Sequence, residues 1–525
     1  MVGVARGFTV LLLYPGPRSV AYSSLAFHLI RGLLSSMGVG VKTAFLEDGV
    51  LEAGQPLDPR ETRAVLVSLP YEIMYADMVR ALEQLGLNPW ARGRGEGDPL
   101  VIAGGPAATA NPAPLLDLVD AVLVGELEPV AEGLVDALQE PTRRGRLEAL
   151  SRLPGVLVPS LENWPVTRVY VEDLDAAWYP LDQRAPPGVE PVWGRGFILE
   201  TSRGCGRGCR FCMEGTVFRP RRDRSLEVLK HLLREGVRVN GAQRVIFYSL
   251  VFFDNRASDE ILWYAVEDLG LQASVPSLRA ETLTWERAGL IARGGQRTVT
   301  IAPETGSCTI ARAILKPIGG DITLWAVDNA LGQGITGVKL YLITGFPGEG
   351  EEDLAQTRDL ALRVVERVRK AGGVAKASIN PFMPKPVTGM QWAGLAPRRL
   401  LEERINRLSR ALRRAGARVS GYDPRWAEVQ VALARGGREM ARVVVEWARM
   451  PRQTPSSFRA AARRAGVSLD WSLGEWPADY TPPWHRLVEH PRAELWRLRR
   501  DWEIYRRVVE SRGGASRLRI PGCTA

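Results

Sequence analysis

Gly196-Phe197-Ile198-Leu199-Glu200-Thr201-Ser202-Arg203-Gly204-Cys205-Gly206-Arg207-Gly208-Cys209-Arg210-Phe211-Cys212 is the stretch on which the fold turns. Its first half, Phe197–Ser202, reads as a strand, and its second half holds three of the five cysteines at the spacing Cys-x3-Cys-x2-Cys. Three thiolates can hold three irons of a cubane [4Fe–4S] cluster, whereas a closed cluster takes four. The remaining iron is then open to a ligand that does chemistry. Zinc needs four ligands in paired Cys or Cys/His sets. Here there is no second pair, and His28, His231, His485 and His490 are distant in sequence. Cys308 and Cys523 do not stand at ligand spacing from the other cysteines in the sequence.

Working outward, strand candidates recur at Arg244–Ser249, Gln272–Pro276, Thr298–Ala302, Gly337–Leu342 and Ala375–Asn380. Helical patterns such as Leu226–Arg234, Trp285–Arg293 and Leu354–Lys370 lie between them. Six β–α units over 196–392 predict a partial (β/α)6, TIM-like barrel, with the cysteine loop on its catalytic, carboxyl face. Ahead of it, residues 1–140 alternate Phe8–Leu13, Val41–Phe45, Ala64–Ser68, Leu100–Ala103 and Ala121–Val124 with amphipathic helical segments. That order predicts a Rossmann-like, doubly wound parallel sheet in an α/β protein. Gly104-Gly105-Pro106 there allows either a close backbone approach to a ligand or a tight turn. Residues 141–195, punctuated by prolines, read as a linker. After Trp392 the strand signal vanishes, and 393–525 reads as a helical domain.

At 525 residues, with 45% apolar and 24% charged residues, the chain is a globular protein of several domains. No apolar run reaches the roughly 18 residues that cross a bilayer, and Phe8–Leu13 lacks a following cleavage site. The expected location is the cytoplasm, with no membrane contact. Residues 391–525 hold 27 Arg, no Lys and 14 acids, a net of +13, which leaves −3 for the rest of the +10 chain. Such a tail suits RNA or is a solvated Arg-rich surface. Eight of the 15 Trp lie from Trp392 onward, as stacking platforms for bases or as core.

The cysteine spacing, with the aromatic Phe211 before the last thiol, resembles the radical S-adenosylmethionine (SAM) superfamily. Arg219–Ser225, Ser277-Leu278-Arg279, Ala302–Gly306, Gly345–Glu349 and Pro384–Trp392 resemble its subgroup with an N-terminal cobalamin-binding-like domain. Gly104-Gly105-Pro106 and Val124-Gly125-Glu126 match that domain. The resemblance implies that Cys205, Cys209 and Cys212 ligate a [4Fe–4S] cluster. It implies that Phe211, Ser249, Arg279 and Glu304 contact SAM, which is cleaved reductively to a 5′-deoxyadenosyl radical. A salt bridge between Arg279 and Glu304 across the barrel mouth is the structural alternative. The resemblance also implies a reductant protein such as ferredoxin or flavodoxin as partner. Cobalamin is a possible cofactor, with methyl transfer to an unactivated carbon. The alternatives are cobalamin-independent modification of RNA or another substrate, or a non-enzymatic Fe–S protein that binds RNA. Two departures matter: the loop Tyr14–Ser19 has no cobalamin-ligating histidine, and the absence of any cysteine before Cys205 argues against a methylthiotransferase.

Overall fold

Thr9–Tyr14 forms β1, in which Val10–Leu13 are at most 1% exposed. A strand apolar on both faces belongs inside a parallel sheet covered by helices. The computed structural model describes residues 7–53, 61–491 and 493–511. The chain divides into two compact units. One runs up to Arg195 and takes in Val429–Leu473 and Tyr480–Leu495; the other comprises Gly196–Glu428, Gly474–Asp479 and Trp496 onward. Residues 393–525, expected as a domain of their own, are thus shared between the two.

In the first unit β1 is joined by β2 (Gly40–Glu47), β3 (Val50–Ala53), β4 (Thr62–Ser68), β5 (Leu100–Gly104), β6 (Ala121–Leu123) and β7 (Val156–Leu157). The order is β3-β2-β1-β4-β5-β6-β7. The five expected strands are the parallel ones, and β3 and β7 add antiparallel edges. The expected all-parallel sheet is therefore mixed. Its strand order reverses between β1 and β4, so the crevice of this topology opens beside the loops Tyr14–Pro17 and Ser68–Tyr71. Gly105 has φ +111°, and a Cβ there would meet the Leu69 carbonyl oxygen at 2.7 Å. The Gly-Gly-Pro turn thus lets one strand-end loop pack on its neighbour.

Residues 141–195 belong to this unit: they supply β7 and β8 (Val166–Thr167), which pairs with Val488–Glu489. The arm Val429–Leu473 is held by Asn111, whose Nδ2 donates to the carbonyls of Ala434 and Gly436 at 2.9 Å. Arg438–Asp117 (2.7 Å) and Arg449–Glu83 (2.9 Å) add ion pairs. Trp447 and Phe458 meet edge to face in its core. The arm's cations answer acids of the N-terminal half, so the tail's positive charge is partly paired within the fold.

The second unit carries two parallel sheets. The first pairs β9 (Phe197–Glu200), β12 (Arg244–Tyr248) and β13 (Gln272–Ser274). Between them, β10 (Ser202–Arg203) and β11 (Arg222–Asp223) form a short antiparallel pair. The second sheet pairs β14 (Thr298–Glu304), β15 (Gly337–Thr344), β16 (Val374–Pro381) and β17 (Arg418–Gly421). A parallel bridge, Leu278 to Ile301, links the sheets. The six expected strands are all present. The seventh, β17, went unread because its Arg-Val-Ser-Gly run has a single apolar side chain, Val419. Helices Leu226–Asn240, Trp285–Arg293, Gly320–Gly332, Glu351–Lys370 and Arg398–Arg414 join successive strands. Among the described residues no helix is long and apolar enough to cross a membrane. Trp392, Trp476 and Trp502 are buried, while Trp496 is 58% exposed. Cys523 lies outside the described residues.

Candidate active site at the carboxyl end of the barrel strands

β9 ends on Glu200, a fully buried carboxylate that accepts two bonds of 3.0 Å from Arg203 and one of 3.4 Å from Arg224. Burial pushes its carboxyl up, but the two guanidiniums outweigh that and hold it below the usual range. Glu200 therefore stays ionised and ties both flanks of the cysteine loop to the strand. The loop then folds back on itself at Gly204, with φ +85°. A Cβ there would lie 2.4 Å from the Phe218 carbonyl oxygen and 2.5 Å from that of Pro220. Only glycine fits such a position. Gly208 also has a positive φ, whereas Gly206 faces open space and carries no such demand.

The three thiols share one electrostatic neighbourhood. Burial pushes the Cys209 thiol up, opposed by Lys316 and Arg279. Cys212 is pushed up to about 12 by burial, with Glu214 adding to it and the Gly215 N–H opposing. Cys205 acts on Cys209, and both act on Cys212. Metal coordination deprotonates a thiol outright. Backbone amides are aimed at two of the sulfurs: Arg207 N to Cys205 Sγ at 3.4 Å and Gly215 N to Cys212 Sγ at 3.3 Å. Such hydrogen bonds tune the potential of a bound cluster. Among the described residues no three His, Cys, Asp or Glu side chains converge on a single-ion site. A cubane asks less of them, since each thiolate takes a different iron.

The loop arginines are engaged with carboxylates. Arg203 holds Glu200, Arg207 holds Asp254 at 2.5 and 2.7 Å, and Arg210 holds Asp501 at 3.0 Å and the Ala313 carbonyl at 2.7 Å. Arg279, with Nη1 4.0 Å from Cys209 Sγ, and Lys316 act on Cys209, and Arg207 also feels the Cys205 thiol. Asp501 belongs to the helix Leu495–Glu510, whose Tyr505 also donates to the Pro347 carbonyl at 2.7 Å. That helix braces both the cysteine loop and the Gly345–Glu349 turn.

The four expected SAM contacts lie in the cysteine loop or at and just beyond strand ends. Arg279 and Glu304 are both in the field of Cys209. They do not pair with each other across the barrel mouth. Arg279 holds Glu281 at 2.6 Å, and Glu304 holds Lys316 at 2.7 Å. Glu304 has φ +68°, an uncommon conformation for a residue other than glycine. It follows a register irregularity at the end of β14. Ser249 Oγ lies 2.6 Å from Ser202 Oγ, and Phe211 meets the Phe346 ring edge at 6.1 Å. Gly345 has φ +88°, and a Cβ there would lie 2.4 Å from Leu401 Cδ2.

Lys316 is a buried residue of this site that the sequence reading missed. Lys is scarce, seven of the 69 basic residues, but scarcity alone does not set Lys316 apart from an exposed one such as Lys370. Glu349 and Arg404, a buried pair behind the Gly345 turn, were missed as well.

Comparisons with known proteins agree with this geometry. The family model for radical SAM proteins, N-terminal, matches residues 46–159, and that for the radical SAM superfamily matches residues 199–361. An uncharacterized protein of Methanocaldococcus jannaschii is 30% identical over 436 residues, covering 82% of this chain and 90% of that protein. The tRNA-2-methylthio-N(6)-dimethylallyladenosine synthase of Leifsonia xyli subsp. xyli is 29% identical over 227 residues, 40% of each chain. Among solved structures, the radical SAM methyltransferase TsrM of Kitasatospora setae, with cobalamin and a [4Fe–4S] cluster bound, superposes with a TM-score of 0.51. The identity is 15%, over 97% of this chain and all of that one. The likeness is one of fold. This chain belongs to the radical SAM superfamily and is an enzyme of that superfamily, whose chemistry rests on a [4Fe–4S] cluster and S-adenosylmethionine.

Proposed function

We propose that Cys205, Cys209 and Cys212 hold the cluster and that Phe211, Ser249, Arg279 and Glu304 line the SAM site beside it. The observation that carries this reading is the set of three mutually coupled thiols at the carboxyl end of the first barrel strand, on a loop whose turn at Gly204 admits no side chain. When bound and reduced, the cluster supplies the electron that cleaves SAM to methionine and a 5′-deoxyadenosyl radical. The chain's own residues position and shield. Glu304, oriented by Lys316, presents a carboxylate to ribose hydroxyls or the methionyl amine. Arg279 places a cation against Cys209. Phe211, Phe346 and Phe382, with successive ring centroids 6.1 and 5.1 Å apart, form an apolar wall that excludes water. The electron comes from a reductant protein such as ferredoxin or flavodoxin.

Methyl transfer to an unactivated carbon is the leading reaction. The fold shared with TsrM and the crevice between β1 and β4 support a cobalamin in the first unit. Bound cobalamin would supply the methyl carrier. The Tyr14–Ser19 loop offers it no histidine, so the cofactor would be held there without a histidine ligand from that loop. A second reading, modification of RNA, is favoured by one observation. A cavity of about 240 Å³ between helices Glu351–Lys370 and Arg398–Arg414 is lined by Arg358, Arg407, Arg410 and Arg414.

Anaerobic reconstitution tests the reading. The protein is expected to show a [4Fe–4S] spectrum and to release 5′-deoxyadenosine from SAM under reduction, while Cys209→Ala does neither. A Cys209→Ala protein that did both would overturn it. Purification from cells fed hydroxocobalamin is expected to yield cobalamin absorbance that survives cluster removal. A colourless fraction would remove the methyltransferase version.

A further inference from the structure

β15, β16 and β17 run parallel, and their register sets Lys339 opposite Lys376 and Lys376 opposite Arg418. Residues paired in this way project from the same side of a sheet. The alternate residues Val338, Leu340, Ala375 and Ala377 are buried on the other side, where helices Glu351–Lys370 and Arg398–Arg414 pack. Three cations therefore stand side by side on the concave face, the inside of the barrel. At roughly 4.8 Å per strand spacing the row spans about 10 Å. Lys339 and Lys376 are half-buried and Arg418 is exposed. The Lys339 ammonium lies 4.8 Å from the Tyr341 ring centroid. Among the described residues none of the three has a carboxylate partner.

Like charges placed directly opposite each other weaken a sheet, so this row costs stability unless an anion answers it. Two of the three are lysines in a chain where 62 of the 69 basic residues are arginine. Hydroxyls flank the row: Thr300 pairs with Lys339, and the next layer up holds Tyr341, Ser378 and Ser420. Lys339 lies five residues before Thr344, the end of β15. That is about 16 Å along the strand. The row is therefore too far from the cysteine loop's rim to serve the SAM carboxylate or the cluster.

We infer that Lys339, Lys376 and Arg418 bind a phosphate or diphosphate group of the substrate. The group is anchored at the amino-terminal end of the lumen, while the reacting carbon lies at the carboxyl end. A row of one sign of charge concentrates such anions, and three donors match a phosphate's oxygens. The assignment to a substrate rests on the radical SAM reading; the anion site itself does not.

The test is calorimetric titration of the anaerobic, cluster-loaded protein with sodium pyrophosphate at constant ionic strength. Saturable binding is expected, about ten- to a hundredfold weaker in Lys376→Met, the worth of one hydrogen bond to a charged group. Ligand-free Lys376→Met is also expected to melt higher than wild type, because the central like charge is gone. A merely structural lysine would move the melting point the other way. Lys370→Met, on the outer helix, is expected to bind as wild type does. Displacement of pyrophosphate by a sugar phosphate, or by a short single-stranded RNA, supports the site either way and identifies a metabolite or a nucleic acid as the source of the phosphate. Equal binding by wild type and Lys376→Met, or tighter binding of citrate than of pyrophosphate, overturns it. Pyrophosphate binding needs no SAM turnover and SAM cleavage needs no pyrophosphate, so failure of one reading is separable from failure of the other.

Discussion

Arg404→Met is expected to loosen the turn that carries Phe346 into the candidate active site, and the structure sets the size of the effect. Glu349, with a side chain at 0% exposure, accepts from Thr344 Oγ1 at 2.9 Å, from Gly345 N at 2.5 Å and from Arg404 Nη1 at 2.7 Å. Arg404 Nη2 also donates to the Glu349 carbonyl at 2.8 Å. Removing one partner from a buried pair costs about 3–5 kcal/mol, since the other charge is left unanswered. For a unit of this size about 1 kcal/mol moves the melting midpoint by about 2–4 °C, so a fall of about 6–20 °C is expected.

The pH dependence follows from the direction of the Glu349 shift. Burial already pushes its carboxyl above the usual range, against the Gly345 and Thr344 hydrogen bonds and the Arg404 charge. Without Arg404 it rises further. The folded form then holds the proton more tightly than the unfolded form, so stability is lost as pH rises through the folded value. The assay is thermal melting of both proteins across a pH series that starts in the usual carboxylate range and runs upward, with the gap between them expected to widen as pH rises. Replacing Glu349 with Gln in the same variant is expected to recover part of the loss. A variant that melts within about 1 °C of wild type, or a gap that narrows with rising pH, would falsify the account.

The remaining expectations concern the cysteine loop and its neighbours. Gly204→Ala, which forces a Cβ to 2.4 Å from a carbonyl oxygen, is expected to lose most of its iron and sulfide on reconstitution, while Gly206→Ala keeps the wild-type content; equal content in the two would count against the loop geometry. Glu304→Gln is expected to raise the KM for SAM about tenfold with the cluster spectrum intact, one charged hydrogen bond being worth about that; a lost cluster spectrum instead would make Glu304 structural. Asp501→Asn is expected to lower the melting midpoint by no more than about 2 °C, because its half of the pair with Arg210 is 38% exposed and water screens it; iron content is the check that the loop still loads.

Much of the architecture was legible because its determinants are local. Val10–Leu13 and the apolar faces of β14–β16 are runs whose period alone specifies strands, and Cys205, Cys209 and Cys212 are neighbours on one loop. The edge strands β3 and β17 were not legible, since a strand with an uncovered face needs few apolar residues, and β7, two buried residues long, is too short to show a period. The helical tail was misread as one body because nothing local in Asn111 or Asp117 announces that residues 429–473 will pack against them.

At the site, the sequence by itself determined which residues are chemically able to hold a cluster and that they follow a strand. Tertiary structure decided the rest. It gave Glu304 to Lys316 rather than to Arg279, turned the loop arginines to carboxylates, and lined up Lys339, Lys376 and Arg418. The physical reason is that ion pairs and cross-strand rows depend on register and on which of several carboxylates is nearest in space. The cross-strand row joins Lys339 to Lys376 across 37 positions and Lys376 to Arg418 across 42, and no local spacing encodes such pairings.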